Sequence, residues 1–500
     1  MDGPIAADLP RLSYDALFID GAWAPPADAA SENVINPATE TVIGQAPLGS
    51  ARDCHRAIGA ARRAFDEGAW PGLPGAARAA ALRRLLDTCS ARHNDIIELM
   101  RLEIGITRAQ AEFQYQLARV QVARFIELAG METIKSLPIL ISPTAAGGRA
   151  LGGAITARDP IGVVSCITPY NSGFLLGLIK AVPALAAGNC VIVKPSPFTP
   201  LQTMLIAELM ADLDLPPGAF NIVTGGADVG ELLTADPRVD MISFTGSDAV
   251  GAKVMAQAAP TLKKVHLELG GKSALIIRHD ADMETAIMAG MFGFVFMAGQ
   301  GCALTTRLLV DNRVRADFVA ALAAATAQVK TGDPDEADTG MGPLIRDSAC
   351  TRTDGFVRRA IEDGATLVCG GKRPPNLARG FFYEPTLLDN VANHSELGQR
   401  EVFGPVGAII GFDTDEQAVR LANQSDYGLS GGIISRETGT AMAMALKLRT
   451  GQVNINLGPG GLHPDMPFGG YKRSGLGREW GEAGLHEYTE LKSIGFPAGA

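Results

Sequence analysis

The spacings that usually hold metal ions are missing from this chain. No Cys-x-x-Cys pair occurs, no His-Glu-x-x-His occurs, and the seven histidines are scattered, so no metal site is expected. The seven cysteines, Cys54, Cys89, Cys166, Cys190, Cys302, Cys350 and Cys369, are odd in number and sparse over 500 residues. That excludes a disulfide scaffold and points to free thiols in a reducing compartment. Positive charge is also short: 44 Lys and Arg against 54 Asp and Glu leave a net charge of −10. A nucleic acid or an anionic membrane is therefore not expected as the main partner. No basic, apolar leader opens Met1-Asp2-Gly3-Pro4-Ile5. The longest apolar stretches, near 173–187 and 284–298, are too short or too rich in glycine and alanine for membrane spans. The expectation is a cytoplasmic protein of two to four domains. The G-x-G-x-x-G fingerprint, internal repeats and low-complexity segments are absent as well.

What is present has a clear rhythm. Residues 1–40, with Pro25-Pro26 and Asn36-Pro37, read as an irregular arm. Residues 50–130 carry helical spacing, and 136–158 read as a protruding hairpin. From 160 onward, short β-rich runs at 161–167, 190–193, 220–223, 241–244 and 265–269 alternate with helical stretches. A second series follows, with strands near 273–277, 307–310, 366–368 and 406–412. This alternation predicts α/β architecture with doubly wound parallel sheets, whose ligands bind at the carboxyl ends of the strands. The tail 483–500 is placed to pair with the 136–158 hairpin.

Several residues sit where chemistry is possible. Cys302 lies between Gly301 and Ala303, which leaves room for a substrate; a packing thiol usually has bulky neighbours. Asn171 follows a strand and has an amide suited to an oxyanion, although asparagine there also serves as a helix cap. Glu268, between Leu267 and Leu269, has a carboxylate that burial would make a usable base, or else a strand-end group facing solvent. Gly246-Ser247 opens a helix after a strand and offers free N–H groups to a pyrophosphate; a capped helix after a tight turn explains it equally. Lys194 leaves the carboxyl edge of a strand, within reach of a nucleotide or simply solvated.

The order of these pieces says more than any one of them. Phe18-Ile19-Asp20-Gly21 and Asn36-Pro37-Ala38-Thr39 are followed by P-x-G-V-V, P-Y-N, V-K-P, F-T-G-S-x-x-x-G, E-L-G-G-K, G-Q-G-C, E-V-F-G-P-V and P-F-G-G-Y-K-x-S-G-x-G-R-E. This co-linear series resembles the aldehyde dehydrogenase superfamily over nearly the whole chain. The resemblance implies that Cys302 attacks an aldehyde to give a thiohemiacetal and that Asn171 with the Cys302 N–H holds the oxyanion. NAD or NADP takes the hydride, and Glu268 activates water to hydrolyse the thioester. It assigns Lys180 and Glu479 to proton relay, Lys194 to the adenosine ribose, Ser196 to the cofactor cleft, Ser247 to the pyrophosphate, and Glu401 and Phe403 to the nicotinamide side. Ile167, Thr168, Pro169, Tyr170, Gly225, Gly230, Phe244, Gly246 and Leu269 complete the cofactor cleft. The implied domains are 1–135 with 159–270 for the cofactor, 271–482 for catalysis, and 136–158 with 483–500 as a small β element for a homodimer or homotetramer.

Two departures bear on specificity. Pro197 stands where many NAD-preferring relatives carry a glutamate three residues after the lysine, which predicts better tolerance of NADP. Ser172-Gly173 follows Asn171 in place of the common Phe-Pro, and the loop 456–466 lacks aromatics. A roomy pocket lined by Phe174, Leu178, Phe296, Leu462 and Phe468 is expected, suited to a bulky apolar aldehyde. No arginine in these segments is placed to bind a substrate carboxylate; Arg307 and Arg124 are the candidate exceptions. The alternatives are a coenzyme A-acylating semialdehyde dehydrogenase, which typically lacks the glutamate at 268, and a silent binding or structural relative, which would have lost Cys302, Asn171 or Glu268.

Overall fold

Runs of β-branched and apolar residues become buried parallel strands wherever helices can cover both faces of a sheet. In the computed structural model, which describes residues 10–131, 133–143, 145, 147–458 and 462–497, this produces two α/β units, each with its own apolar core. The first sheet has eight strands in the order Gly475–Leu476, Lys264–Glu268, Met241–Thr245, Val163–Ile167, Cys190–Lys194, Phe220–Ile222, Leu17–Ile19 and Ala22–Ala24. Its five central strands are parallel and its two edges antiparallel. The second sheet runs Thr366–Cys369, Thr386–Asp389, Val406–Phe412, Arg307–Asp311, Ala274–Ile277, Ser430–Ile434 and Gln452–Ile455. All of its pairings are parallel except that of Thr366–Cys369.

The arm is more ordered than expected. Leu17–Ile19 and Ala22–Ala24 form a hairpin that edges the first sheet. Asp20 and Gly21 connect them, both with positive φ (58° and 75°), the backbone a two-residue turn of this hand requires. Residues 1–9 lie outside the described residues. The 50–130 stretch resolves into the helices Ala51–Asp66, Gly75–Ala91, His93–Ile104 and Arg108–Ala129. Ile134–Pro143, Arg149–Pro160 and Thr489–Pro497 make a third, antiparallel sheet, with Arg149–Pro160 in the middle. The pairing segment of the tail starts at Thr489, because Gly481–Glu487 is helical. Among the described residues, no helix is long and apolar enough to cross a membrane.

Register places the chemistry. Ile167 is level with Lys194, Phe244 with Ile167, and Thr245 with Glu268. The carboxyl ends of four neighbouring strands therefore open onto one edge. The short strand Gly475–Leu476 crosses from the later half of the chain and pairs with Leu267 and Glu268, which brings the glycine-rich C-terminal loop over that edge.

Candidate active site

A cleft of about 650 Å³ lies along this edge. One wall comes from the strand ends: Ile167 to Asn171, Lys194 and Ser196, and Phe244 to Ser247. Ser247 caps the helix Asp248–Ala258, its hydroxyl accepting from the Val250 N–H at 3.4 Å, so the helix start presents unpaired N–H groups to the cleft. Lys194 is buried, and burial lowers its pKa to about 8 against the pull of Asp228 and Glu32. Its ammonium donates to the Pro195 carbonyl at 3.2 Å, which leaves further donors for a ligand. Opposite, Glu401 accepts from the Gly271 N–H at 3.1 Å, and burial raises its carboxyl to about 7. Phe403 meets Tyr170 edge-on at 5.9 Å. A helix start for a pyrophosphate, a lysine at one end and a carboxylate at the other fit a dinucleotide.

Cys302 is half-buried on the wall of the same cleft. The backbone leading to it is unusual: Met297, Ala298 and Gly299 all have positive φ (52°, 53° and 72°). Left-handed backbone costs a non-glycine residue about 1–2 kcal/mol, so packing must hold the turn. Gln300 supplies much of that. Its Nε2 donates to the carbonyls of Met297 (3.1 Å) and Pro343 (3.3 Å), and its Oε1 accepts from the Ile345 N–H (3.0 Å) and the Tyr170 hydroxyl (3.3 Å). Its carbonyl accepts from Asn171 Nδ2 at 2.9 Å, which fixes the amide beside the thiol loop with its second N–H still available. Burial, and then the charges of Glu401, Glu268 and Glu479, push the Cys302 thiol up to about 12.

Behind the thiol lies a buried polar cluster. Glu268 is 2% exposed, and neither carboxylate oxygen has a hydrogen bond among the described residues. Burial and the neighbouring Glu479 hold its pKa well above the ordinary carboxylate range. Lys180, on the helix Gly173–Ala187, pairs with Glu479 at 2.6 Å, and both are buried. Glu479 is set by the C-terminal loop, where Phe468 and Glu479 exchange backbone hydrogen bonds of 2.8 and 2.6 Å and the Phe468 ring packs on Trp480 at 4.6 Å.

The structure gathers most of the expected cofactor residues around one cleft and places several of the other expected residues away from it. Phe174 and Leu178 do not line it. They share one face of the helix Gly173–Ala187, and the Phe174 ring stacks on Tyr115 at 6.5 Å in the core, whereas Leu176 faces the cleft. Gly225 turns inward onto Val229, and Gly226 takes its place on the wall. Leu269 packs under Gly251, because successive strand residues point to opposite faces. Leu462 is 47% exposed and off the cleft wall, and residues 459–461 of that loop lie outside the described residues. Phe296 instead sits between Phe292 (4.6 Å) and Phe113 (5.7 Å). Neither candidate arginine is free: Arg307 is buried on the carbonyls of Lys272, Leu421 and Ala422, and Arg124 pairs with Asp465 and Glu127. Sequence reasoning missed Gln300, Leu176 and His266; only His266, two residues before Glu268 on one strand, carried a signal, since such residues share a face.

Comparison with known proteins adds an independent finding. Residues 23–494 match the model described as the aldehyde dehydrogenase family. A betaine aldehyde dehydrogenase of Bacillus subtilis is 38% identical over 485 residues, 96% of each chain. The crystal structure of betaine aldehyde dehydrogenase from Staphylococcus aureus in complex with NAD+ is 36% identical, with a TM-score of 0.92 over 96% of this chain and 94% of that one. Mycobacterium tuberculosis aldehyde dehydrogenase complexed with NAD+ is 37% identical, also at 0.92, over 98% and 99%.

Proposed function

The chain belongs to the aldehyde dehydrogenase family, and on that premise we propose that it oxidises a bulky apolar aldehyde to its acid, with Cys302 as nucleophile and Glu268 as hydrolytic base. The reaction class, NAD(P)-dependent oxidation of an aldehyde, follows from the family. The observation that carries the residue assignment is a half-buried thiol on the cofactor cleft, with an amide donor anchored beside it and an unpartnered carboxylate behind.

Cys302 loses its proton and bonds to the aldehyde carbon, and the developing oxyanion meets Asn171 Nδ2 and the Cys302 N–H. Lys194, Ser196, Ser247, Glu401 and Phe403 would hold the dinucleotide, which supplies a hydride acceptor when bound. Glu268 then takes a proton from water, whose oxygen bonds to the thioester carbon while the carbon–sulfur bond breaks. A carboxylate at 268 favours water over coenzyme A as the acyl acceptor, and intact Cys302, Asn171 and Glu268 argue against a silent relative.

An apolar aldehyde is supported by Leu176 on the cleft wall and by two arginines already committed elsewhere. A second reading, a quaternary-ammonium aldehyde such as the betaine aldehyde in the relatives' names, rests on that similarity. Catalytic efficiencies over an aldehyde panel decide: long or aromatic aldehydes should lead. Betaine aldehyde in first place selects the second reading, and acetaldehyde or an anionic semialdehyde in first place contradicts both. In the same assay, Pro197 on the cleft wall should let NADP work; a preference for NAD above roughly a thousandfold, about 4 kcal/mol, contradicts that. Seven free cysteines support a cytoplasmic setting. Exposed Leu491, Ile494 and Phe496 on the third sheet support a homodimer or homotetramer, and a monomer in sedimentation velocity would count against it.

A further inference from the structure

We infer that His266 is the positioning residue for Glu268, its proton placed on Nε2, within reach of the carboxylate, by a hydrogen-bond chain that starts at the Lys180 ammonium and passes through Ser243. The inference rests on Glu268 being the hydrolytic base.

The chain of contacts has a direction. Lys180 Nζ is a donor only, so at 3.2 Å from Ser243 Oγ it must donate to it. Tyr488 lies 3.0 Å from the same oxygen, and His266 Nδ1 lies 3.3 Å away. A serine hydroxyl has one proton and two lone pairs. Either hydroxyl of the Ser243–Tyr488 pair can donate; we take Tyr488 as the donor, so that the serine accepts from Lys180 and Tyr488 and its proton goes to His266 Nδ1. A neutral imidazole then carries its proton on Nε2, which faces Glu268 Oε1 at 3.4 Å. Neither this nitrogen nor either carboxylate oxygen makes a hydrogen bond among the described residues, and at 3.4 Å a small turn of the carboxylate completes one between them. Burial, with Lys180, Lys264 and Arg478 nearby, keeps His266 well below its usual pKa, so the ring is neutral. The edge of the ring packs over Gly477, which leaves it little freedom to turn.

This arrangement solves a problem for the site. Glu268 is buried and faces Glu479 and Glu487, which disfavour its charge, and Lys180 and Arg478, which favour it; its own charge is felt at Cys302. A base with a raised pKa accepts a proton well only if some of it stays ionised at working pH. A neutral N–H donor stabilises the anion without adding a buried charge.

The test follows the acyl-enzyme through a single turnover as a function of pH. In His266→Leu, the pH at which deacylation reaches half its maximum should rise by about one unit, a tenfold loss at fixed pH below that point. The preceding burst of reduced nicotinamide should change less than about twofold. His266→Gln, whose amide restores a donor, should recover most of the deacylation rate. Ser243→Ala, which releases the tautomer with little loss of volume, should shift the limb in the same direction and serves if His266→Leu does not fold. An unmoved limb in a folded His266→Leu or Ser243→Ala protein overturns the inference. Full deacylation in Glu268→Gln would instead overturn the assignment of the base, and that outcome is distinct because it leaves no glutamate limb to move.

Discussion

At the scale of the residue, the site is poised rather than active. Cys302 at about 12 is a thiol at neutral pH, since burial and three nearby carboxylates disfavour the thiolate. The sign is simple: a raised thiol pKa means that the reactive thiolate grows with pH. Alkylation of Cys302 by iodoacetamide in the cofactor-free enzyme should therefore climb about tenfold per pH unit from 7 to 9. Mass-spectrometric rates across that range check it, and a plateau below pH 8 contradicts it. Individual residues were legible in the sequence where a motif named them, as with Cys302, Asn171 and Glu268, which the structure brings to one region. Gln300 was not, because its role arises from carbonyls and hydroxyls contributed by segments at 170, 297, 343 and 345 that meet only in the fold.

At the scale of the element, the thiol loop is held by a backbone that tolerates little change. Gly299 has φ of 72°, and a Cβ there would sit 2.0 Å from the Gly404 carbonyl oxygen. That carbonyl follows Phe403, so Gly299→Ala should push the thiol loop and the nicotinamide wall apart. The expected result is a loss of kcat of at least 100-fold with a raised KM for NAD, measured by steady-state kinetics on folded protein; unchanged constants would contradict this account of the turn. Helices were harder to orient than to find. Gly173–Ala187 is buried almost throughout, so no amphipathic stripe marks the face that meets the cleft. The sequence reading accordingly picked Phe174 and Leu178, one turn apart on the core face, and missed Leu176. The Leu17–Ile19 hairpin, in contrast, had a legible Asp20-Gly21 turn, obscured only by the prolines that follow.

At the scale of the whole molecule, two α/β units contribute different halves of the chemistry. Strand alternation made both units legible, because parallel sheets need helices between their strands. How the units meet was not legible, since it depends on the strand Gly475–Leu476 joining the first sheet and on Gln300 linking the thiol loop to Asn171 and Tyr170. Glu268, the proposed base, ends a strand of the first sheet, whereas Cys302 sits just ahead of the Arg307–Asp311 strand of the second. Separate groups for acylation and hydrolysis should be separable in time. The most direct test is stopped-flow absorbance of reduced nicotinamide after mixing Glu268→Gln enzyme and NAD with a preferred aldehyde. A burst close to one equivalent per subunit, with steady turnover reduced at least 100-fold, is the predicted result. Sustained turnover at the unmodified rate, or a burst that survives Cys302→Ala, would contradict the account.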